Sequence, residues 1–171
     1  MDKNNGNTKW QEAMAKEMAG LYQHGVFDYK GSHFKPPTDY QYAPLCMIFN
    51  VKADLRRKAR LVIGGHVIDA SHLNSYSSVV KGISIRLLAL IAKANTLKCL
   101  CGDVGNAYVN APTREKIYTR AGPEFGDREG QIVTLVKALY GLQTSGAEWQ
   151  AYFSDSLRAL EFKPTRYDTN V

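Results

Sequence analysis

Cysteine is scarce in this chain of 171 residues: Cys46, Cys99 and Cys101 are its three, and no two form a Cys-x-x-Cys pair. An odd, loosely spaced set excludes a disulfide framework and a thiolate metal site. Cys99 and Cys101 instead read as thiols on one buried face of a strand. Long hydrophobic runs are missing as well. The most apolar stretch, Ile83 to Ala94, is interrupted by Arg86 and followed by Asn95, well short of the ~20 residues a bilayer requires. No membrane span is expected. The first nine residues, Met1 to Lys9, are polar and rich in Asn, without the apolar core of a secretion signal, so an intracellular place, cytoplasmic or nuclear, is expected. Six Pro and 14 Gly are too few for a low-complexity polymer, and no repeat of about 20 to 50 residues excludes a solenoid or propeller.

Acidic residues are also in the minority. Twenty-two Lys and Arg face 16 Asp and Glu, a formal charge of +6, which favours an anionic partner, nucleic acid ahead of a membrane surface. Much of the excess is local. Residues 52 to 60 carry Lys52, Arg56, Arg57, Lys58 and Arg60 against Asp54 alone.

The length suits one domain, or two small lobes packed together. Trp10, Met14, Met18 and Leu21 recur at helical spacing, Thr8 and Gln11 suit a capping box, and Gly25 closes the segment. Lys30 to Pro44, with Gly31, Pro36 and Pro37, reads as a loop. Met47 to Lys52 and Ala59 to Ile63 read as strands of a basic hairpin, with Lys58 and Arg60 on one face and Ala59 and Leu61 on the other. Ile83, Leu87, Leu90, Ile91 and Ala94 mark a helix apolar on more than one side, expected to be central. Leu97 to Asp103 reads as a strand ending in a carboxylate. Ile117 with Tyr118, and Ile132 to Val136, read as further strands, joined by a turn-rich connection from Gly122 to Gly130. A last helix from about Ala147 carries Trp149, Phe153, Leu157 and Leu160 on one face and stops before Pro164. The fold class is mixed α+β.

One carboxylate at a strand end, followed by Gly105, could cap a turn or bind Mg²⁺. The surrounding residues bear on that choice. Gly102-Asp103-Val104-Gly105-Asn106-Ala107-Tyr108-Val109-Asn110-Ala111-Pro112 resembles the first catalytic motif of reverse transcriptases, specifically those of copia-type retrotransposons. Lys58-Ala59-Arg60-Leu61-Val62 resembles their fingers motif. Lys137-Ala138-Leu139-Tyr140-Gly141-Leu142, with Trp149 beyond, resembles their most recognisable signature, and Trp10 to Leu21 the helix that opens the domain. Ile85 to Ala89 and Ile117-Tyr118 fall at the family's intervals. The likeness spans residues 9 to 171 and rests on several blocks in order.

The resemblance implies fingers and the first part of a palm over 9 to 171, a flexible N-terminus over 1 to 8, and a mixed antiparallel sheet with packed helices. It implies that Asp103 and the carbonyl of Val104 hold Mg²⁺, two ions in the full-length parent and weakly or not at all here. Backbone N–H groups of Asn106 and Ala107 would cradle nucleotide phosphates. Tyr108 would be an aromatic gate against a ribose 2′-hydroxyl; apart from the motif, it reads as a core tyrosine on a strand. Tyr140 and Gly141 would shape the nucleotide pocket, Lys58 and Arg60 would grip the triphosphate, and Lys52, Arg56 and Arg57 would meet nucleic acid. The implied partners are an RNA template, a DNA primer and a deoxynucleoside triphosphate.

Two departures stand out. Gln143 to Glu148 lacks the basic residue and the Pro-Arg pair the family carries there, and no adjacent Asp-Asp pair occurs in the 171 residues. The chain therefore reads as a fragment of an RNA-directed DNA polymerase with one of three expected carboxylates, with a non-catalytic nucleic-acid-binding remnant of a mobile element as the alternative.

Overall fold

The computed structural model describes residue 2 and residues 6–171. Mixed α+β architecture is what it shows, in two sheets with helices packed or projecting around them. Helix α1 (Lys9–Gln23) opens the fold, as its apolar stripe predicts, and buries Met18 and Leu21. Gly25, at φ +63°, ends it: the N–H of Val26 reaches back to the Leu21 carbonyl and that of Gly25 to Tyr22, the paired bonds of a Schellman turn. Its N-terminus departs from the expected capping box. Thr8 gives its hydroxyl to Glu12, and the carboxylate of Asp2 accepts the N–H groups of Trp10 and Gln11. The remainder of the stretch expected to be flexible includes residues 1 and 3–5, which lie outside the described residues.

Strand β1 (Phe27–Gly31) reaches into the stretch read as a loop. It becomes a strand because β6 (Ile132–Leu135) offers it a partner, antiparallel from Phe27 opposite Leu135. With β5 (Ile117–Arg120) and the two-residue β2 (Gln41–Tyr42), these strands make the larger sheet, in the order β1-β6-β5-β2. All four β6 residues are buried, as suits a central strand covered on both faces. In β5 only Ile117 and Thr119 turn inward. Pro123–Arg128 forms the turn-rich 3₁₀ connection between them.

Strands β3 (Leu45–Val51) and β4 (Arg57–Ile63) form the basic hairpin as a separate two-stranded sheet. Ala59, Leu61 and Ile63 are buried, and α1 packs on that side. Trp10 meets Phe49 edge-on at 5.3 Å, and the guanidinium of Arg57 lies 5.6 Å from the Trp10 ring. Lys58 and Arg60 alternate out of the core, as the strand period requires.

Three expectations fail in the next segment. Helix α2 (Gly82–Ala94) forms where the periodicity places it but is not central, because it buries no residue. Ile83, Leu87 and Leu90 are each more than half exposed. Periodicity reports that a helix has an apolar face, not that a surface lies opposite it. What fixes α2 is its N-terminus: Asp168 accepts the N–H of Lys81 and the hydroxyl of Ser84, and these bonds hold the Asp168 carboxyl far below the usual carboxylate range. Leu97 to Asp103 is not a strand, since no described strand lies beside it to complete a ladder. Asp103 accordingly sits in an irregular segment rather than at a strand end. Cys99 and Cys101, expected to be buried, are exposed.

Helix α3 (Ser145–Ala159) ends five residues before Pro164, through a second Schellman turn with Glu161 at φ +67°. Of its expected apolar face, Trp149 stacks on Phe153 at 5.3 Å, while Phe153 and Leu160 remain exposed.

The turn before α3 is clamped to the end of β4. Ile63 donates its N–H to the Tyr140 carbonyl at 2.9 Å, and Gln143 donates to the carbonyls of Gly65 and Ile68. A Cβ on Gly141, whose φ is +100°, would collide with the Ile63 carbonyl oxygen, and one on Gly65 with that of Gly141. Both obstructions are backbone, which cannot swing aside. Gly141→Ala, which also meets φ strain, should lower stability by about 3 kcal/mol or more, and Gly65→Ala by about 2 to 3. Denaturant midpoints check this, with Gly82→Ala, in open space, as the comparison that should change little.

Candidate functional site

The clamp brings together residues far apart in sequence. Ala138 donates its N–H to the Ala111 carbonyl, Thr113 to that of Val136, and Pro112 bridges Lys137. Residues 110–113 therefore run beside 136–138, and the turn on each side presents a tyrosine. Tyr108 lies on the 3₁₀ turn Ala107–Asn110, anchored by buried Val109 and entered through Asn106 at φ +52°. Its ring meets that of Tyr140 at 5.0 Å and 55°. The Arg60 guanidinium in turn lies 5.3 Å from the Tyr140 ring, a cation–π distance. Tyr108, Tyr140 and Arg60, drawn from three separate motifs, thus form one contact chain.

Charges gather around it. Burial, with Arg60 and Lys52 adding repulsion, pulls the Lys58 amine below the ordinary lysine value, against the opposing influence of Glu17 and Asp103. Burial pushes the Tyr140 hydroxyl up; Arg60 opposes this, while Glu17, Tyr108 and Asp103 add to it. Asp103 is exposed, within electrostatic reach of both Lys58 and Tyr140. Val104 is exposed beside it, and Asn106 lies next to α1, where a Cβ on Gly20 would come within 3.3 Å of its amide.

The remaining basic residues separate in setting. Arg56 is paired with Asp54 at 2.6 Å in the hairpin turn, and both are exposed, so the pair adds little stability. Arg57 leans on Trp10 and donates to the Leu55 carbonyl. Lys52, Arg56, Arg57 and Lys58 nevertheless line one cavity of about 240 Å³ together with Glu17 and Asn106. Gly141 acts through its missing side chain, by letting the turn touch β4.

Sequence reasoning passed over two carboxylates. Glu17, beside buried Met18 on α1, accepts the N–H of Leu61 at 3.2 Å. Glu115, 5% exposed, accepts both the N–H and the hydroxyl of Thr144 and so caps α3 from outside. Neither has a local signature, because Leu61 lies 44 residues from Glu17 and Thr144 lies 29 from Glu115.

Magnesium, which the resemblance implies, has an incomplete donor set. Asp103 offers one exposed carboxylate, and among the described residues no group of three or more His, Cys, Asp or Glu could hold a metal ion. These residues do not form a magnesium site unaided.

Comparison with known proteins places this arrangement in a class. Residues 32–170 match the family described as reverse transcriptase (RNA-dependent DNA polymerase), and the chain belongs to that family, as a copia-type member. It is 31% identical over 147 residues to the Transposon Ty1-DR5, Ty1-DR1 and Ty1-ML1 Gag-Pol polyproteins of Saccharomyces cerevisiae, across 82% of this chain and 8% of each polyprotein. The chain thus spans less than a tenth of the length of these relatives. No solved structure matches. No helix among the described residues is long and apolar enough to cross a membrane.

The depressed Lys58 amine has a direct consequence, since more of it is neutral at a given pH. Lys116, hydrogen-bonded to Asp39 and raised by it, is the opposite case. Limited acetylation near neutral pH, followed by peptide mass mapping, should modify Lys58 before Lys116.

Proposed function

We propose that residues 9–171 are the fingers and first part of the palm of an RNA-directed DNA polymerase, acting inside the cell, in the cytoplasm or nucleus. The observation that carries this reading is the contact chain Arg60–Tyr140–Tyr108, with Lys58 and Asp103 in electrostatic reach of it.

In this reading Lys58 and Arg60 donate to the phosphates of an incoming deoxynucleoside triphosphate. Tyr140 holds the Arg60 guanidinium over its ring and backs the Tyr108 ring, so that the Tyr108 face closes the sugar pocket to a 2′-hydroxyl. The turn at Asn106 and Ala107 presents backbone to the phosphates, and Gly141 keeps Tyr140 against β4. Asp103 and the Val104 carbonyl contribute oxygens at the edge of the cleft. Lys52, Arg56 and Arg57 extend the positive surface along the hairpin toward an RNA template and DNA primer.

Phosphate contacts release counterions, so affinity for an RNA–DNA hybrid should fall steeply as salt rises. Replacing Arg56, Arg57, Lys58 and Arg60 with Gln should reduce the slope of log affinity against log salt by roughly one unit for each phosphate that is no longer neutralised. An unchanged slope in fluorescence anisotropy titrations would place the nucleic-acid surface elsewhere.

The 171-residue chain should show no primer extension by itself. A longer polypeptide joining it to an Asp-Asp hairpin should extend a primer and lose that activity in Asp103→Asn. Tyr108→Ala in the same polypeptide should retain extension and incorporate ribonucleotides more readily, because the ring acts by exclusion. Gel analysis of extension with deoxy- and ribonucleotides separates these outcomes.

A further inference from the structure

Glu17 lies on the opening helix, within the Trp10 to Leu21 block, where no role was expected of it, yet it occupies a controlled position. Its carboxylate is half-buried between α1 and the outer edge of β4, where Oε1 accepts the Leu61 N–H. That edge faces away from β3, and its next amide, that of Ile63, is taken by the Tyr140 carbonyl. Glu17 and Tyr140 thus hold successive outward N–H groups of the strand that carries Lys58 and Arg60. Burying a carboxylate costs free energy unless it is compensated, and the compensation here is one backbone donor and two cations.

We propose that Glu17 is a positioning residue and internal counter-ion for the Lys58–Arg60 pair, fixing the strand edge beneath them and weakening their hold on phosphate while it is ionised. This rests on the reading of that pair as phosphate-binding. The groups within electrostatic reach of Glu17 are Lys58 and Arg60 from β4 and Tyr140 from the turn before α3. Lys16 of its own helix, and Lys52, Arg56 and Arg57 of the hairpin, line the adjoining cavity. Asp103 also acts electrostatically on Lys58 and Tyr140. Burial raises Glu17 above the usual carboxylate value, although the Leu61 N–H, Lys58 and Arg60 pull the other way. It therefore takes up its proton at a pH where most surface carboxylates remain charged. As pH falls through that point the internal counter-charge disappears and the pair presents its full positive charge.

The test is anisotropy with a labelled RNA–DNA hybrid at low salt, from about pH 7.5 down to about 4.5, on the full chain. Glu17→Gln keeps an acceptor for Leu61 and removes the charge. Removing one negative charge several ångströms from a phosphate-binding group should tighten binding about three- to fivefold at the upper pH. The gap from wild type should close as the pH falls and Glu17 is protonated. Equal affinities at the upper pH, or a gap of constant size down to the lower one, would overturn the proposal. The Lys58→Gln, Arg60→Gln double variant separates the two levels of argument. If it binds the hybrid as tightly as wild type, the phosphate-binding reading fails. If it binds more weakly while Glu17→Gln changes nothing, the role of Glu17 alone fails. Should Glu17→Gln not fold, the side-chain carboxyl carbon resonance of Glu17 in the wild-type chain decides: it must shift on addition of the hybrid, and an unmoved resonance refutes the proposal.

Discussion

The close approach of two glycine backbones, Gly65 and Gly141, is the constraint on which the site depends. Neither position has room for a methyl group, and the obstructing atoms are carbonyl oxygens. Because the chain can touch itself there, the Tyr140 carbonyl reaches the Ile63 N–H and ties the turn to the hairpin. Arg60, three residues before Ile63, then lies against the Tyr140 ring, which in turn meets Tyr108. A small displacement of this turn would separate the hairpin residues from the two tyrosines. Interiors are close-packed, so such an approach is either made or broken and does not stretch gradually.

A second feature runs through the fold: helix N-termini are held by carboxylates from outside the helix, nearby for α1 and remote in sequence for α2 and α3. Asp2 serves α1, Asp168 serves α2 and Glu115 serves α3. Each accepts an N–H at the start of its helix, where backbone donors lack a partner within the helix. Each also ties a helix to another part of the chain, which matters most for α2, whose apolar sides are left largely exposed.

This division explains what can be read from the sequence. The hairpin, β5, β6 and α1 are legible because their partners lie close in sequence or their burial follows a simple period, whereas α3 is legible from the spacing of its apolar residues alone, with Trp149 and Leu157 half-buried and Phe153 and Leu160 exposed. Lys58 and Arg60 share a face because a strand alternates. Segment α2 is legible as a helix but not as a projecting one, and Leu97 to Asp103 has strand-forming residues without a neighbour to pair with; β propensity is realised only against a partner. The site residues are named through motif resemblance, and their meeting depends on the Gly65–Gly141 approach, which no local pattern announces. Glu17 and Glu115 escape notice for the same reason: their partners are Leu61 and Thr144, each distant in the chain.

In the proposed function, residues from the hairpin, the 3₁₀ turn and the Tyr140 turn form a single nucleotide-facing cleft. Backbone amide mapping by nuclear magnetic resonance during titration with a deoxynucleoside triphosphate tests it most directly. Shifts should concentrate at Lys58, Arg60, Asn106 to Tyr108 and Tyr140 and move together along one binding curve. Shifts confined to α2 or to the far end of α3, with those positions unmoved, would contradict it.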